Sequence, residues 1–159
     1  MALVNTYPYT LLTRAILPKL KARKQKSLIL SICSVISSAP SSYDALYAAT
    51  KVFEVYQLES LRIESIGSSI DFLIMNPQYV STNNARLTPG GLVETSEAFA
   101  NVTMAAVGKT NESCGTWKHI VFGYIIKQID RTFSRSNWHQ YLNESIIKKK
   151  ANAMWEKRV

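Results

Sequence analysis

The chain has 159 residues, long enough for one domain with a real core. With 47% hydrophobic and 19% charged residues, it is globular in composition, which excludes a disordered or low-complexity chain. Its net charge of +8 comes without a helix-turn-helix, zinc or RNA-binding pattern, so nucleic acid is not an expected partner.

In chain order, Asn5 to about Leu20 reads as a helix, with Leu11, Leu12, Ala15, Ile16 and Leu20 near helical spacing. Pro8 is expected in its first turn, and Pro18 is expected to bend or end it. Basic residues 19–26 follow as a loop. Leu28 to Cys33 is a continuous apolar run, the mark of a strand buried on both faces in a parallel sheet. A serine-rich loop with Pro40 leads to a long helix from about Tyr43 to Ile66. Its apolar residues cover more than one side, which suits packing on a sheet and on a second subunit.

Gly67-Ser68-Ser69 ends that helix. Ile70 to Met75 is the second strand, stopped by Asn76-Pro77. Asn83 to Leu92 is a loop, and Thr95 to Val107 a short helix with Thr95 as cap and Gly108 as stop. His119 to Tyr124 reads as a third strand and Ser136 to Lys157 as a polar helix. Strands alternating with helices give an α/β class in one domain, residues 1–159.

Most of the charge sits in Lys19-Leu20-Lys21-Ala22-Arg23-Lys24-Gln25-Lys26 and in Lys148-Lys149-Lys150 with Lys157 and Arg158. Solvated loop and tail is one reading of these clusters; a surface for anionic lipid or a CoA-type phosphate is the other. No run approaches the roughly 18 apolar residues of a spanning helix. Cys33 and Cys114 lack metal-ligand spacing and read as reduced thiols. Cys33 is expected to act as a small buried hydrophobe. His119 reads as structural, His139 as a surface residue, and Trp117 as a core or pocket residue.

The chemistry-bearing residues gather around Tyr47 and Lys51. At a spacing of four on a helix they share a face, setting phenol beside ammonium. Ser34 lies thirteen residues before Tyr47, at the end of the first strand. Taken singly, these are a surface pair and a loop serine, and Asn5 is a helix cap.

Together they resemble the catalytic core of the short-chain dehydrogenases/reductases, and the resemblance runs along most of the chain. Asn5-Thr6-Tyr7-Pro8-Tyr9-Thr10-Leu11-Leu12 resembles the helix start that supplies the family's fourth catalytic residue. Asn76-Pro77-Gln78-Tyr79-Val80-Ser81-Thr82 resembles its turn after the next strand. Cys114-Gly115-Thr116-Trp117-Lys118-His119 resembles the segment before the last strand in the branch of very-long-chain 3-oxoacyl-CoA reductases and 17β-hydroxysteroid dehydrogenases.

The resemblance implies a Rossmann-type parallel sheet and hydride transfer between NADP(H), with NAD(H) still open, and a lipid-type substrate. It makes Asn5, Ser34, Tyr47 and Lys51 the catalytic residues, and assigns Tyr47, Lys51, Pro77, Val80 and Thr82 to the cofactor. A free phenol has a pKa of about 10, so at neutral pH it is a poor partner in proton exchange. Lys51 would favour the Tyr47 phenolate and hold the nicotinamide ribose, Ser34 the substrate oxygen. Asn5 would anchor a water leading from Lys51. The apolar faces of helix 43–66 make a homodimer through it an expectation, and the resemblance implies a place on the cytosolic face of the endoplasmic reticulum, with membrane-surface association.

Two departures stand out. The family cradles pyrophosphate in a Gly-rich turn at a helix N-terminus, and none of the six glycines here makes one. The sequence is therefore expected to be the C-terminal half of such a reductase, binding NADPH weakly alone. A catalytically silent interaction module is the competing expectation. Gln78 also stands where the turn usually has glycine, the residue used where backbone must come near a ligand.

Overall fold

The computed structural model describes residues 1–41, 44–83 and 85–132. Helix α1 (Ala2–Lys21) leads into β1 (Ser27–Ile32), and a short 3-10 turn (Val35–Ser38) leads to α2 (Ala45–Ile63). Strand β2 (Ile70–Met75), the short strands β3 (Tyr79–Ser81) and β4 (Val93–Thr95), and helix α3 (Ser96–Ala106) follow. A two-residue strand β5 (Glu112–Ser113) precedes α4 (Trp117–Thr132).

The main sheet is parallel, in the order β1-β2-β5, with Ser27 opposite Ile70 and Ile32 opposite Met75. Strands β3 and β4 form a separate parallel pair. Alternation along β2 builds two cores. Ile70, Phe72 and Ile74 meet Tyr9, Leu17 and Leu20 of α1 and Val55, Leu58 and Leu61 of α2. Leu73 and Met75 point the other way, onto Phe99, Val102 and Ala106 of α3. Helices on both faces of a parallel sheet make the α/β class a finding.

Local chemistry accounts for most boundaries. The Thr95 hydroxyl caps α3 by accepting the Ala98 N–H at 3.1 Å. Gly67 and Gly108 take φ of +86° and +70° in the turns that stop α2 and α3, a region glycine occupies without strain.

Several expectations need correction. Pro8 lies in the second turn of α1, and Pro18 sits inside its last turn, with the Ala22 N–H still bonded to the Pro18 carbonyl at 3.1 Å. Asn5 is inside this helix and does not cap it. Strand β1 is not buried on both faces, since Leu30 and Ile32 are exposed. Residues 119–124 are helical, part of α4; a short apolar run does not distinguish strand from helix. The third strand is Glu112–Ser113, recruited through backbone bonds from Ile74 N–H to Asn111 and from Asn76 N–H to Ser113, both 2.8 Å. Trp117 is exposed. Tyr43, His139 and the helix expected at 136–157 lie outside the described residues.

Candidate active site

In a parallel sheet, side chains that follow the strands' C-terminal ends gather at one edge, where α/β proteins bind ligands. Ser34 follows β1 and Pro77 follows β2, and the two loops are tied together. The Cys33 N–H donates to the Met75 carbonyl at 2.8 Å, and the Val35 N–H to the Pro77 carbonyl at 3.0 Å. Ser34 has extended backbone, and its hydroxyl accepts the Ile36 N–H at 3.3 Å, starting the 3-10 turn. From behind, Gly123 of α4 comes so close that a Cβ there would lie 3.3 Å from Val35 and 3.2 Å from the Cys114 sulfur.

Tyr47 and Lys51 are one turn apart near the start of α2, both half-buried. The Lys51 ammonium lies 5.9 Å from the centre of the Tyr47 ring. It donates to the Ile32 carbonyl at 3.2 Å, which ties it to the end of β1. Asn5 enters from α1: its side-chain amide donates to the Thr50 hydroxyl at 3.0 Å, and that hydroxyl donates to the Tyr47 carbonyl at 2.8 Å. Thus Asn5 is tied through Thr50 to the Tyr47 backbone carbonyl, and Lys51 separately to the Ile32 carbonyl at the end of β1, with Ser34 two residues beyond Ile32.

The other assigned residues are less closely joined. Pro77 is buried beside Ser34's loop. Val80 packs its side chain onto the core around Leu73, Met75 and Phe99, which leaves any contact with a carboxamide to its main chain. Thr82 is exposed, and its hydroxyl accepts the Ala85 N–H at 3.0 Å within its own turn. Gln78 takes no positive φ, so its backbone does not require glycine's conformational range.

Glu54 is the residue that motif reading missed. Its carboxylate, 5% exposed, holds the Lys51 ammonium at 2.9 and 3.1 Å. The Cys33 thiol donates to it at 3.6 Å and contacts the Ser31 hydroxyl at 3.3 Å. Burial pushes the Cys33 thiol up to about 11, with Glu54's charge adding to the effect. Burial likewise pushes the nearby Tyr9 phenol up to about 12. A carboxylate three residues after a lysine is a readable ion pair. Its place in the apolar stripe ending at Leu58 hid it.

The residues present fit the nicotinamide end of a dinucleotide in part. An ion pair with Glu54 needs one Lys51 donor, so turning another toward a ribose hydroxyl costs one of the two Glu54 contacts.

A family model for short chain dehydrogenases matches residues 1–89. The chain is 30% identical over 122 residues to a very-long-chain 3-oxoacyl-CoA reductase of Caenorhabditis elegans, covering 73% of this chain and 37% of that one. It is 26% identical over 136 residues to 17-beta-hydroxysteroid dehydrogenase type 3 of Danio rerio, covering 85% and 44% respectively. The chain thus spans less than half the length of these curated relatives. Among solved structures, a 7beta-hydroxysteroid dehydrogenase superposes with a TM-score of 0.70 at 16% identity, over 89% of this chain and 56% of its own. A short chain dehydrogenase of Burkholderia cenocepacia in complex with NADP gives 0.68 at 19%, over 89% and 55%. At such identities the likeness is one of fold, and that fold is Rossmann-type.

Proposed function

The chain belongs to the short-chain dehydrogenase family, and on that premise we propose that it carries the catalytic part of an NADP(H)-linked reductase. Its substrate class would be the keto or hydroxy group of a lipid, a 3-oxoacyl-CoA or a hydroxysteroid. The observation that supports this reading best is Lys51 set one turn from Tyr47 and bonded to the end of β1, with Asn5 tied through Thr50 to the Tyr47 backbone.

When bound, the cofactor supplies or accepts the hydride. In this reading the Tyr47 hydroxyl gives its proton to the carbonyl oxygen during reduction and takes it back in the reverse direction. Lys51, its ammonium 5.9 Å from the Tyr47 ring, would be the residue that reaches the nicotinamide ribose. Ser34 donates a hydrogen bond to the oxygen on which negative charge develops, which its hydroxyl can do while still accepting the Ile36 N–H. Pro77, Val80 and Thr82 line the cofactor side, and Asn5 holds Thr50 and the start of α2 in place.

The test is kinetic, on the chain joined to a relative's nucleotide-binding half or in a longer transcript product that is active. Tyr47→Phe removes only the hydroxyl, so kcat should fall by at least about 100-fold with folding retained. Wild-type turnover would refute the assignment.

A second reading has its own observation: Phe53 and Tyr56 on α2, and Leu3, Val4, Tyr7 and Leu12 on α1, are exposed. In that reading the chain is a catalytically silent module that pairs with another subunit through helix 43–66. The proposed location is the cytosolic face of the endoplasmic reticulum. Among the described residues, no helix is long and apolar enough to cross a membrane.

A further inference from the structure

The end of the sheet opposite the Ser34–Pro77 site carries a concentration of positive charge that the proposed chemistry does not use. Helix α1 closes on Lys19 and Lys21, and Arg23, Lys24 and Lys26 follow before β1 begins; all five are exposed. The loop is fixed in place. The Ser69 hydroxyl donates to the Arg23 carbonyl at 3.1 Å, the Ser27 N–H to the Ser69 carbonyl at 2.9 Å, and Lys21 to the Glu64 carbonyl at 3.3 Å.

These bonds join the basic loop to the turn after α2, which presents Ile63 and Ile66, 55% and 76% exposed. Lys109 is exposed at the same end, because Gly108 abuts Asp71 near the start of β2. The carboxylates on these segments are Glu64 and Asp71, so the balance is strongly positive.

We propose that this end is a docking surface for an anionic lipid bilayer, with the cations over the headgroups and Ile63 and Ile66 at the acyl boundary. Cations alone would suit any polyanion. The two isoleucines decide between them, since an exposed aliphatic side chain gains by entering hydrocarbon and gains nothing against a phosphate backbone. Segments 19–27 and 62–70 contain no aromatic residue on which a single-stranded base could stack.

Strands of six residues separate the two ends by roughly 20 Å, so the candidate active site would face away from the bilayer. The inference shares a location with the reading above and none of its chemistry. It needs neither cofactor nor turnover, so failure of one leaves the other standing.

The test is co-sedimentation of the purified chain with vesicles of phosphatidylcholine alone or with added phosphatidylserine. Binding is expected only to the latter and should weaken steeply with salt. Lys24→Glu with Lys26→Glu should lower partitioning by at least about 25-fold, at about fivefold for each cation lost. Ile66→Ser should weaken the binding that survives at high salt. Lys127→Glu, on an exposed face of α4, should leave binding within about twofold. Equal binding to both vesicle types overturns the proposal. So does loss of binding through Lys127 instead of the loop. Binding to a DNA duplex but not to the vesicles, abolished by the same loop variants, would overturn it in favour of a nucleic-acid surface.

Discussion

Strands β1 and β2 are six residues each, parallel, and both apolar enough in sequence to be read as interior strands. They fare differently. Five of the six β2 residues are buried and the sixth half-buried, whereas β1 has one buried residue, and Leu30 and Ile32 are exposed. Strand β2 has neighbours on both sides, α1 and α2 on one face and α3 on the other. Among the described residues, strand β1 has one strand neighbour, and on its α3-side face only Leu28 reaches a core. Toward its C-terminal end its covered face turns polar: Ser31 contacts Cys33, just past the strand, which in turn donates to Glu54, where β2 offers Ile70, Phe72 and Ile74. Burial belongs to a strand's neighbours, and here one strand carries the stability while the other positions the candidate chemistry.

The largest effect should come from a cavity in β2. Leu73 is fully buried, so Leu73→Ala should destabilise by about 3–4 kcal/mol, while Leu30→Ala on β1 should cost less than about 1 kcal/mol. Urea unfolding of the two variants checks this. Equal costs would mean that β1 is covered in solution and the contrast is false.

Next is the polar face. Glu54→Ala strips a buried ammonium of its counter-charge, and removing one partner of a buried pair costs about 3 kcal/mol or more. Because Lys51 keeps some access to water, with 14% of its side chain exposed, the low end of that range is expected. Glu54→Gln should cost less, since an amide still accepts one hydrogen bond from Lys51.

How much of this was legible in the sequence follows from which signals are local. Strand β2, the cap at Thr95 and the turn glycines announce themselves through residue type and spacing. Ser34, Tyr47 and Lys51 were also read from residue type and spacing, and the structure ties Lys51 to the Ile32 carbonyl, at the end of the strand that leads to Ser34. Strand β5 was hidden because Glu112–Ser113 has no apolar pattern and is a strand only through β2's unused backbone groups. Helix α4 was misread because Ile120 and Val121 are β-branched yet exposed, and the decisive contact, Gly123 on Val35, is long-range. Glu54 required knowing which face of α2 meets β1.

The β1 face also has a pH signature. Folding holds the Cys33 thiol up to about 11, above its value near 8.5, a roughly typical figure for an unfolded chain. Between these values the unfolded state has released the proton and the native state has not, so unfolding is increasingly favoured as pH rises. Stability that is complete below pH of about 8.5 should drop by about 3 kcal/mol as pH approaches 11, and Cys33→Ala should flatten that slope. Melting scans across this range in the two proteins test the claim. An unchanged slope in the variant would place the titration elsewhere, Tyr9 being the next candidate.

The smallest change in stability, and the one that says most about β1, is expected from Leu30→Ser with Ile32→Ser. Both side chains are already in water, so the unfolding midpoint should move by no more than about 0.5 kcal/mol. What should change is association. On its outer side β1 has no strand neighbour among the described residues, and an apolar edge of this kind is a template for pairing with another chain. The exposed Phe53 and Tyr56 of α2 offer a competing contact, the one the dimer proposal uses. Sedimentation velocity separates them. If the sheet edge drives association, the serine pair yields monomers and Tyr56→Ser leaves larger species; if α2 does, the outcomes are reversed. Monomers in wild type at tens of micromolar, on the order of a weak contact's dissociation constant, would remove both.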